Sequence, residues 1–184
     1  MVTKTERRIA IVKDVISQIL AKKLKLKTKN GYVIPIAKNR DGYTDWYTLP
    51  TDCSLQKVVD IVQKKCNVCA MGSLLLSHAR LYNKINCDDI LYCDASQDDV
   101  IIDTLKGYFD EKTLRNIEAV FENFTETYDN RYIDDGVKTF RTKSLLDAKS
   151  TRYKYAKYKL KKDEIIMVAI CNNIIKNNGK FVLA

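Results

Sequence analysis

The chain has 184 residues, of which 46% are hydrophobic and 30% are charged, and its formal net charge is +9. This composition is ordinary for a folded domain, and we predict a single domain over residues 1–184. The sequence has no run of about 18 apolar residues that would predict a membrane span. Its amphipathic start lacks the form of a signal peptide, so we expect a cytoplasmic protein with reduced cysteines.

The N-terminal part of the chain predicts a helix followed by a β-hairpin. Apolar side chains recur at helical spacing in residues 5–22, and Thr3 and Glu6 form a capping box in front of them. The period changes in residues 24–36, where an Asn-Gly pair is typical of a type I′ turn. We therefore predict a small β-hairpin over these residues.

The rest of the chain predicts mainly helices. Residues 67–84 are almost wholly apolar, which indicates a central helix that is buried against several others. The last helix is predicted to begin at Asp163 and to stop at Gly179. The predicted fold is mainly α (α+β), with the small β-hairpin near the N-terminus and a basic insertion, residues 125–162, before the last helix. Three further helices are predicted to be capped by Ser54 or Asp52, by Asp98 or Asp99, and by Asp110.

The cysteines and the single histidine permit a metal site without requiring one. Cys66 and Cys69 form a C-x-x-C pair, which Cys87, Cys93 or His78 could complete as zinc ligands. Packing as small hydrophobic side chains explains the pair better, because it leads into an apolar helix. His78 is likewise interpreted as a hydrogen-bonded core residue, not as a general base for a thiol. Phosphate-binding loops, dinucleotide fingerprints and nucleophile elbows are absent, so we expect no catalytic residue, cofactor or metal.

Positive charge is concentrated in one part of the insertion. Residues 138–162 contain ten Lys or Arg residues, which only Asp147 opposes, so this stretch alone carries +9. Clustered cations attract polyanions, and aromatic rings among them can stack on bases. The alternative is a solvated face with Tyr153, Ala156 and Leu160 as its buried stripe. The predicted contacts to nucleic acid or a protein partner are Arg152, Tyr153, Lys154, Tyr155, Lys157, Tyr158, Lys159, Lys161 and Lys162.

Parts of the sequence resemble a family of small, uncharacterised proteins of bacteriophages and prophages. These proteins carry a central C-x-x-C-A-x-G-[AS]-L-[LF] pattern, which residues 66–75 match. The resemblance implies a phage accessory protein that acts in a host cell. Such proteins commonly take part in DNA transactions or inhibit host defence, as anti-CRISPR proteins do. The other similar segments are Phe109–Leu114, Ile117–Glu122 and Ile174–Phe181.

These observations together favour a non-enzymatic, phage-encoded binding protein that antagonises a host defence system. In its concrete form it would be an anti-CRISPR-type inhibitor that contacts a complex of protein and nucleic acid. One alternative is a general DNA- or RNA-binding phage accessory protein. The other is a small thiol- or zinc-dependent enzyme.

Overall fold

A computed structural model describes residues 2–27, 33–35, 55–82, 98–122 and 149–183. Most of these residues are helical, so the predicted mainly α fold is confirmed. The helices are α1 (Lys4–Leu20), α2 (Leu55–Lys65), α3 (Ala70–Tyr82), α4 (Asp98–Leu105), α5 (Glu111–Glu122) and α6 (Lys162–Lys176). The strands are β1 (Val33–Pro35) and β2 (Cys66–Val68). Several predictions fall outside the described residues, namely those on Asn30-Gly31, on Asp52 and Ser54, on Cys87 and Cys93, and on residues 125–148 of the insertion.

The starts of α1 and α5 follow from the predicted caps. Thr3 Oγ1 accepts a hydrogen bond from the Glu6 N–H at 3.1 Å, and Glu6 Oε2 accepts one from the Thr3 N–H at 2.7 Å. This reciprocal pair confirms the capping box. Asp110 Oδ1 accepts a hydrogen bond from the Thr113 N–H at 2.8 Å, which confirms the predicted cap of α5.

The last helix begins slightly earlier than predicted. Lys161 is the N-cap residue of α6, and Asp163 lies inside the first turn instead of capping it. Glu164 Oε2 accepts a hydrogen bond from the Lys161 N–H at 2.7 Å, so a carboxylate within the helix satisfies the cap position. At the other end the predicted stop is confirmed, because Gly179 has a φ of 81° and its N–H returns to a carbonyl of the last turn.

The strand pairing differs from the predicted hairpin. β1 pairs antiparallel with β2, where Val33 lies opposite Val68. On the other side of β2, Leu26 forms a parallel bridge with Val68, and the Val68 N–H donates to the Lys25 carbonyl at 3.0 Å. Thus β2 lies between the two segments that were expected to pair with each other. A two-stranded hairpin alone is marginal in water, whereas this arrangement buries Val68 in the core.

Helix α3 lies at the centre of the described fold, as its apolar sequence predicts. Residues Ala70 to Ala79 are all buried, and the helix packs against α1, α2, α4 and α5. It begins at Ala70 and not at residue 67 because residues 66–68 form β2.

A polar network fixes α1 against α2 and α3. Asp14 accepts hydrogen bonds from Arg80 and from Gln18 Nε2, the latter at 2.6 Å. Gln18 Nε2 also lies 2.8 Å from Ser77 Oγ, and Gln18 Oε1 accepts a bond from Gln63. Because most of these side chains are buried and mutually bonded, they determine how α1 sits along α3.

Helices α1 and α6 lie antiparallel to each other. Lys22, just beyond α1, forms an ion pair with Glu164 at the start of α6, with Nζ and Oε2 3.0 Å apart. At the opposite end, a Cβ placed on Gly179 would lie 3.2 Å from Thr5 Cγ2. Since α1 has 17 residues, these two ends of the fold are about 25 Å apart.

Candidate polyanion-binding surface

The described end of the predicted insertion leads directly into α6. We call residues 149–162 the basic segment. It is helical over 149–154, forms a 3-10 turn over Ala156–Tyr158 and then passes through residues 159–161, which belong to no helix or strand, to the start of α6. Lys159 ends the turn in the left-handed conformation, with a φ of 49°. The segment is therefore a folded structure with a defined change of direction, and it is not one continuous helix.

Only one of the three residues of the solvated-face alternative attaches the basic segment to the core. That alternative required Tyr153, Ala156 and Leu160 to be buried together. Leu160 does pack against the core, but Ala156 is exposed and Tyr153 is 88% exposed. Thr151 is buried and Tyr155 packs on the core in their place. The helical period is lost because the helix ends before the turn.

The cations of the basic segment all face solvent. In the part of the chain that the structure describes, none of them forms an ion pair with a carboxylate. Lys154 Nζ lies 5.4 Å from the centroid of the Tyr155 ring, and Lys157 Nζ lies 5.0 Å from that of Tyr158. Among the residues that the structure describes, no ion pair with a carboxylate relieves their mutual repulsion, so the positive potential is available to an anion. The exposed cations are Lys149, Arg152, Lys154, Lys157, Lys159, Lys161 and Lys162.

The three tyrosines of the segment have different environments. Tyr153 is the most open, at 88% exposed, and its ring can stack on a base. Tyr155 and Tyr158 are partly buried, with ring centroids 6.3 Å apart, and each lies beneath a lysine ammonium. We therefore expect Tyr153 to contact a partner, whereas Tyr155 and Tyr158 support the positions of Lys154 and Lys157.

A second group of lysines, which the charge count over residues 138–162 does not include, lies at the same end of the fold. Glu164, which is only 5% exposed, connects these lysines to the basic segment. Its Oε2 accepts hydrogen bonds from Lys22 Nζ at 3.0 Å and from the Lys161 N–H at 2.7 Å. One buried carboxylate oxygen therefore joins the end of α1 to the basic segment.

The lysines after α1 present one cationic face. Leu24 and Leu26 are buried, whereas Lys23, Lys25 and Lys27 between and beside them are exposed. This alternation is the period of an extended strand and was the available sequence signal. Lys25 Nζ also donates to the backbone carbonyl of Lys64, which is itself exposed, at 2.7 Å. We call the basic segment together with Lys22, Lys23, Lys25, Lys27 and Lys64 the basic surface.

The C-x-x-C pair has a structural role at the junction of β2 and α3. Cys66 and Cys69 are both buried. Cys69 Sγ accepts a hydrogen bond from the Gly72 N–H at 3.4 Å, at the first turn of α3. Burial, assisted by the carboxylates of Glu118 and Glu122, raises the pKa of the Cys69 thiol well above its usual range. Cys69 is therefore a neutral thiol and not a reactive thiolate.

His78 lies among aromatic side chains of the described core. Across the described ranges, no cluster of three or more His, Cys, Asp or Glu side chains could hold a metal ion. His78 is buried, as predicted, and its ring centroid lies 4.8 Å from that of Tyr108 and 5.4 Å from that of Tyr82. Its surroundings are therefore aromatic.

Comparison of the chain with protein-family models, with curated proteins and with solved structures gives no match. Among the helices that the structure describes, none is long and apolar enough to cross a membrane. The functional interpretation therefore depends on the geometry and charge of the surfaces described above.

Proposed function

We propose that the protein is a non-enzymatic binding protein that holds a polyanionic partner on its basic surface. The observation that carries this proposal is the row of exposed cations beside the open ring of Tyr153, without carboxylates to neutralise them among the described residues. Like charges at this density repel one another, and a bound polyanion removes that cost. Phosphates would contact the cations, and an unstacked base would lie on Tyr153.

The partner that we propose is a nucleoprotein effector of a host defence system, bound in the host cytoplasm. This part depends on the resemblance to bacteriophage proteins, which implies an anti-CRISPR-type inhibitor. A basic surface fits such a target because it can contact guide or target nucleic acid together with an acidic protein face. Binding alone is sufficient for inhibition, so the proposal requires no catalytic group.

The second candidate is a general DNA- or RNA-binding phage accessory protein. The exposure of Tyr153 favours it, since a ring among cations is the usual arrangement for contacting single-stranded nucleic acid. We do not propose the thiol-dependent enzyme, because Cys66 and Cys69 are buried and the pKa of Cys69 is raised. Salt separates the remaining candidates, because contacts to phosphate weaken steeply as salt rises while protein contacts weaken less.

The test combines binding with protection of phage in a host that has an active CRISPR system. The variant reverses three charges, Lys154→Glu, Lys157→Glu and Lys159→Glu. We expect it to lose affinity for labelled oligonucleotides in fluorescence anisotropy and to lose protection, with an unchanged circular dichroism spectrum. The matched control reverses three exposed lysines elsewhere, Lys13→Glu, Lys176→Glu and Lys180→Glu.

Each outcome of this test has a defined meaning. If the wild-type protein protects the phage, and if its binding to an effector complex persists at high salt, the result supports the inhibitor. Salt-sensitive binding to any oligonucleotide, without protection, identifies the general nucleic-acid-binding protein. If the reversed variant binds and protects as the wild type does, or if the control loses as much as the variant, the basic surface is only a solvated face.

A further inference from the structure

A cleft lies at the opposite end of α1 from the basic surface. Its walls come from the start of α1 with Lys4 and Arg7, from His78 on α3, and from Gly107 and Tyr108 between α4 and α5. Its volume is about 520 Å³, which is within the usual range of small-molecule sites. The length of α1, about 25 Å, separates it from the basic surface.

The charge around this cleft is mainly positive. Lys4, Arg7 and Lys106 line it, and Asp103 is the one carboxylate among the described residues that does so. Asp103 Oδ1 lies 2.6 Å from Lys106 Nζ and is therefore neutralised by that lysine. The charges of Lys4 and Arg7 remain, and both side chains belong to the first turns of the same helix. The cleft therefore favours an anion.

Aromatic contacts hold the cleft wall in place. Tyr108 lies against the buried ring of His78, and its ring is nearly parallel to that of Tyr82, with centroids 6.0 Å apart. The Arg7 guanidinium lies 5.5 Å from the centroid of the Tyr82 ring and donates to Tyr108 Oη at 3.4 Å. Since these groups are already positioned, a ligand would lose little free energy in ordering them.

Gly107 keeps one side of the cleft open. A Cβ placed on this residue would meet nothing within 4 Å. Backbone and empty space therefore lie where another residue would project a side chain. This position also provides a graded test, because Gly107 lines the cleft and has room for a methyl group, whereas a tryptophan side chain there would fill much more of the space beside it.

We propose that the cleft binds a small phosphorylated ligand of nucleotide size. The phosphate would lie beside Lys4 and Arg7, since ammonium and guanidinium groups are the strong donors to phosphate oxygens. The planar part of the ligand would lie against the Tyr108 ring. A free phosphate ion would occupy only a small part of 520 Å³, so the ligand carries an organic group as well. This site is distinct from the basic surface and is independent of the function proposed for it.

Isothermal titration calorimetry with 5′-AMP, 5′-ADP, adenosine and inorganic phosphate tests the proposal. We expect a nucleotide to bind at least about tenfold more tightly than adenosine, because adenosine lacks the charged hydrogen bonds. Inorganic phosphate should also bind more weakly than the nucleotides. Equal affinity for AMP and adenosine, equal affinity for AMP and phosphate, or no nucleotide binding at millimolar concentration would each overturn the proposal.

Variants assign the binding to the cleft. Lys4→Gln and Arg7→Gln should each weaken nucleotide binding about tenfold, whereas Lys13→Gln, an exposed lysine on the same helix, should not. Gly107→Trp should abolish binding and Gly107→Ala should not. Lys4 is exposed, so its variant remains informative if the Arg7 variant fails to fold. Wild-type affinity in Lys4→Gln and Gly107→Trp would contradict the site.

The charge-reversed variant of the basic surface separates the two proposals. It should bind nucleotide with wild-type affinity, because Lys154, Lys157 and Lys159 lie at the other end of α1. If it loses nucleotide binding, the nucleotide occupies the basic surface and the cleft proposal fails while the proposed function stands. If it keeps nucleotide binding but the wild type shows no polyanion binding, only the proposed function fails.

Discussion

Replacing Glu164 by Ala should destabilise the protein and weaken polyanion binding, although the change removes no cation. Glu164 Oε2 accepts hydrogen bonds from Lys22 Nζ and from the Lys161 N–H. The bond to the Lys161 N–H is a helix-cap bond and contributes about 1 kcal/mol. The ion pair contributes at most about 1 kcal/mol, because Lys22 is 48% exposed and solvent screens it. We therefore expect the free energy of unfolding to fall by about 2 kcal/mol.

Urea titration followed by circular dichroism measures this loss of stability. A second variant separates the contribution of the ion pair from that of the cap hydrogen bond. Glu164→Gln retains an acceptor for the Lys161 N–H and loses only the charge, so it should cost about 1 kcal/mol or less. Combining Glu164→Gln with Lys22→Met in a double-mutant cycle gives the coupling of the ion pair, which we expect to be about 0.5–1 kcal/mol. Glu111→Ala is the control, since it removes an i,i+4 pair between an exposed Glu111 and a partly exposed Arg115 and should cost less than about 0.5 kcal/mol.

Binding data then test whether Glu164 orients the basic segment. Glu164→Ala should weaken oligonucleotide binding because the end of α1 and the basic segment lose their shared contact. Glu164→Gln should bind nearly as well as the wild type. A loss of stability below about 0.5 kcal/mol in Glu164→Ala, together with unchanged binding, would refute this account of the basic surface.

Three further outcomes are expected. Leu75→Ala should lower the free energy of unfolding by about 2–5 kcal/mol in urea titration, because Leu75 is buried in the central helix. Leu81→Ala, at an exposed position of the same helix, should lower it much less. A loss below about 1 kcal/mol at Leu75 would contradict the central position of α3. Partial burial raises the pKa of Asp110, but hydrogen bonds from Thr113 outweigh it and hold the pKa below its ordinary value of 3.8. Asp110→Ala should therefore lower the free energy of unfolding by about 1 kcal/mol at neutral pH. Thermal unfolding should show that this difference in stability from the wild type disappears as the pH falls below 3.8 and through the lowered pKa. A difference in stability that stays constant with pH would exclude this cap. Lys159→Gly should leave the melting temperature unchanged or raise it, because glycine adopts the left-handed conformation of this position without strain. The salt slope of polyanion binding should fall by about one unit, because one cation is lost. A lower melting temperature would show that the Lys159 side chain stabilises the fold.

The helices were predictable because their signals are local. The bonds between Thr3 and Glu6 span three residues, and the apolar run of α3 already indicates burial on all sides. The start of α6 was misplaced because Asp163 is a good cap by composition, while Glu164 reaches the cap position from inside the helix. The pairing of β2 was not predictable, because the strand has only three residues and two of them, Cys66 and Val68, continue the apolar pattern of the helix after it.

The two candidate sites differ in how much of them the sequence could reveal. Charge counting found the basic segment, since its residues are contiguous. It could not add the lysines after α1, because the contact that joins them to the segment in the described part of the chain is the Lys22–Glu164 pair, whose residues are 142 positions apart. The cleft was missed altogether. Arg7, His78 and Tyr108 come from three separate regions, and each alone is typical of an ordinary helix surface or core.

The position of β2 has a consequence for the order in which the chain can fold during synthesis. Residues 25–27 and β1 both depend on Val68 for their backbone hydrogen bonds or strand pairing, yet both leave the ribosome before it does. A nascent chain that ends before residue 66 can form α1, but it lacks the strand with which residues 25–27 and β1 pair. These strands must therefore wait for distant residues, which slows their formation relative to the helices. A truncated or split version of the protein should keep residues 1–68 on one polypeptide, because a break between β1 and β2 separates each strand from its partner.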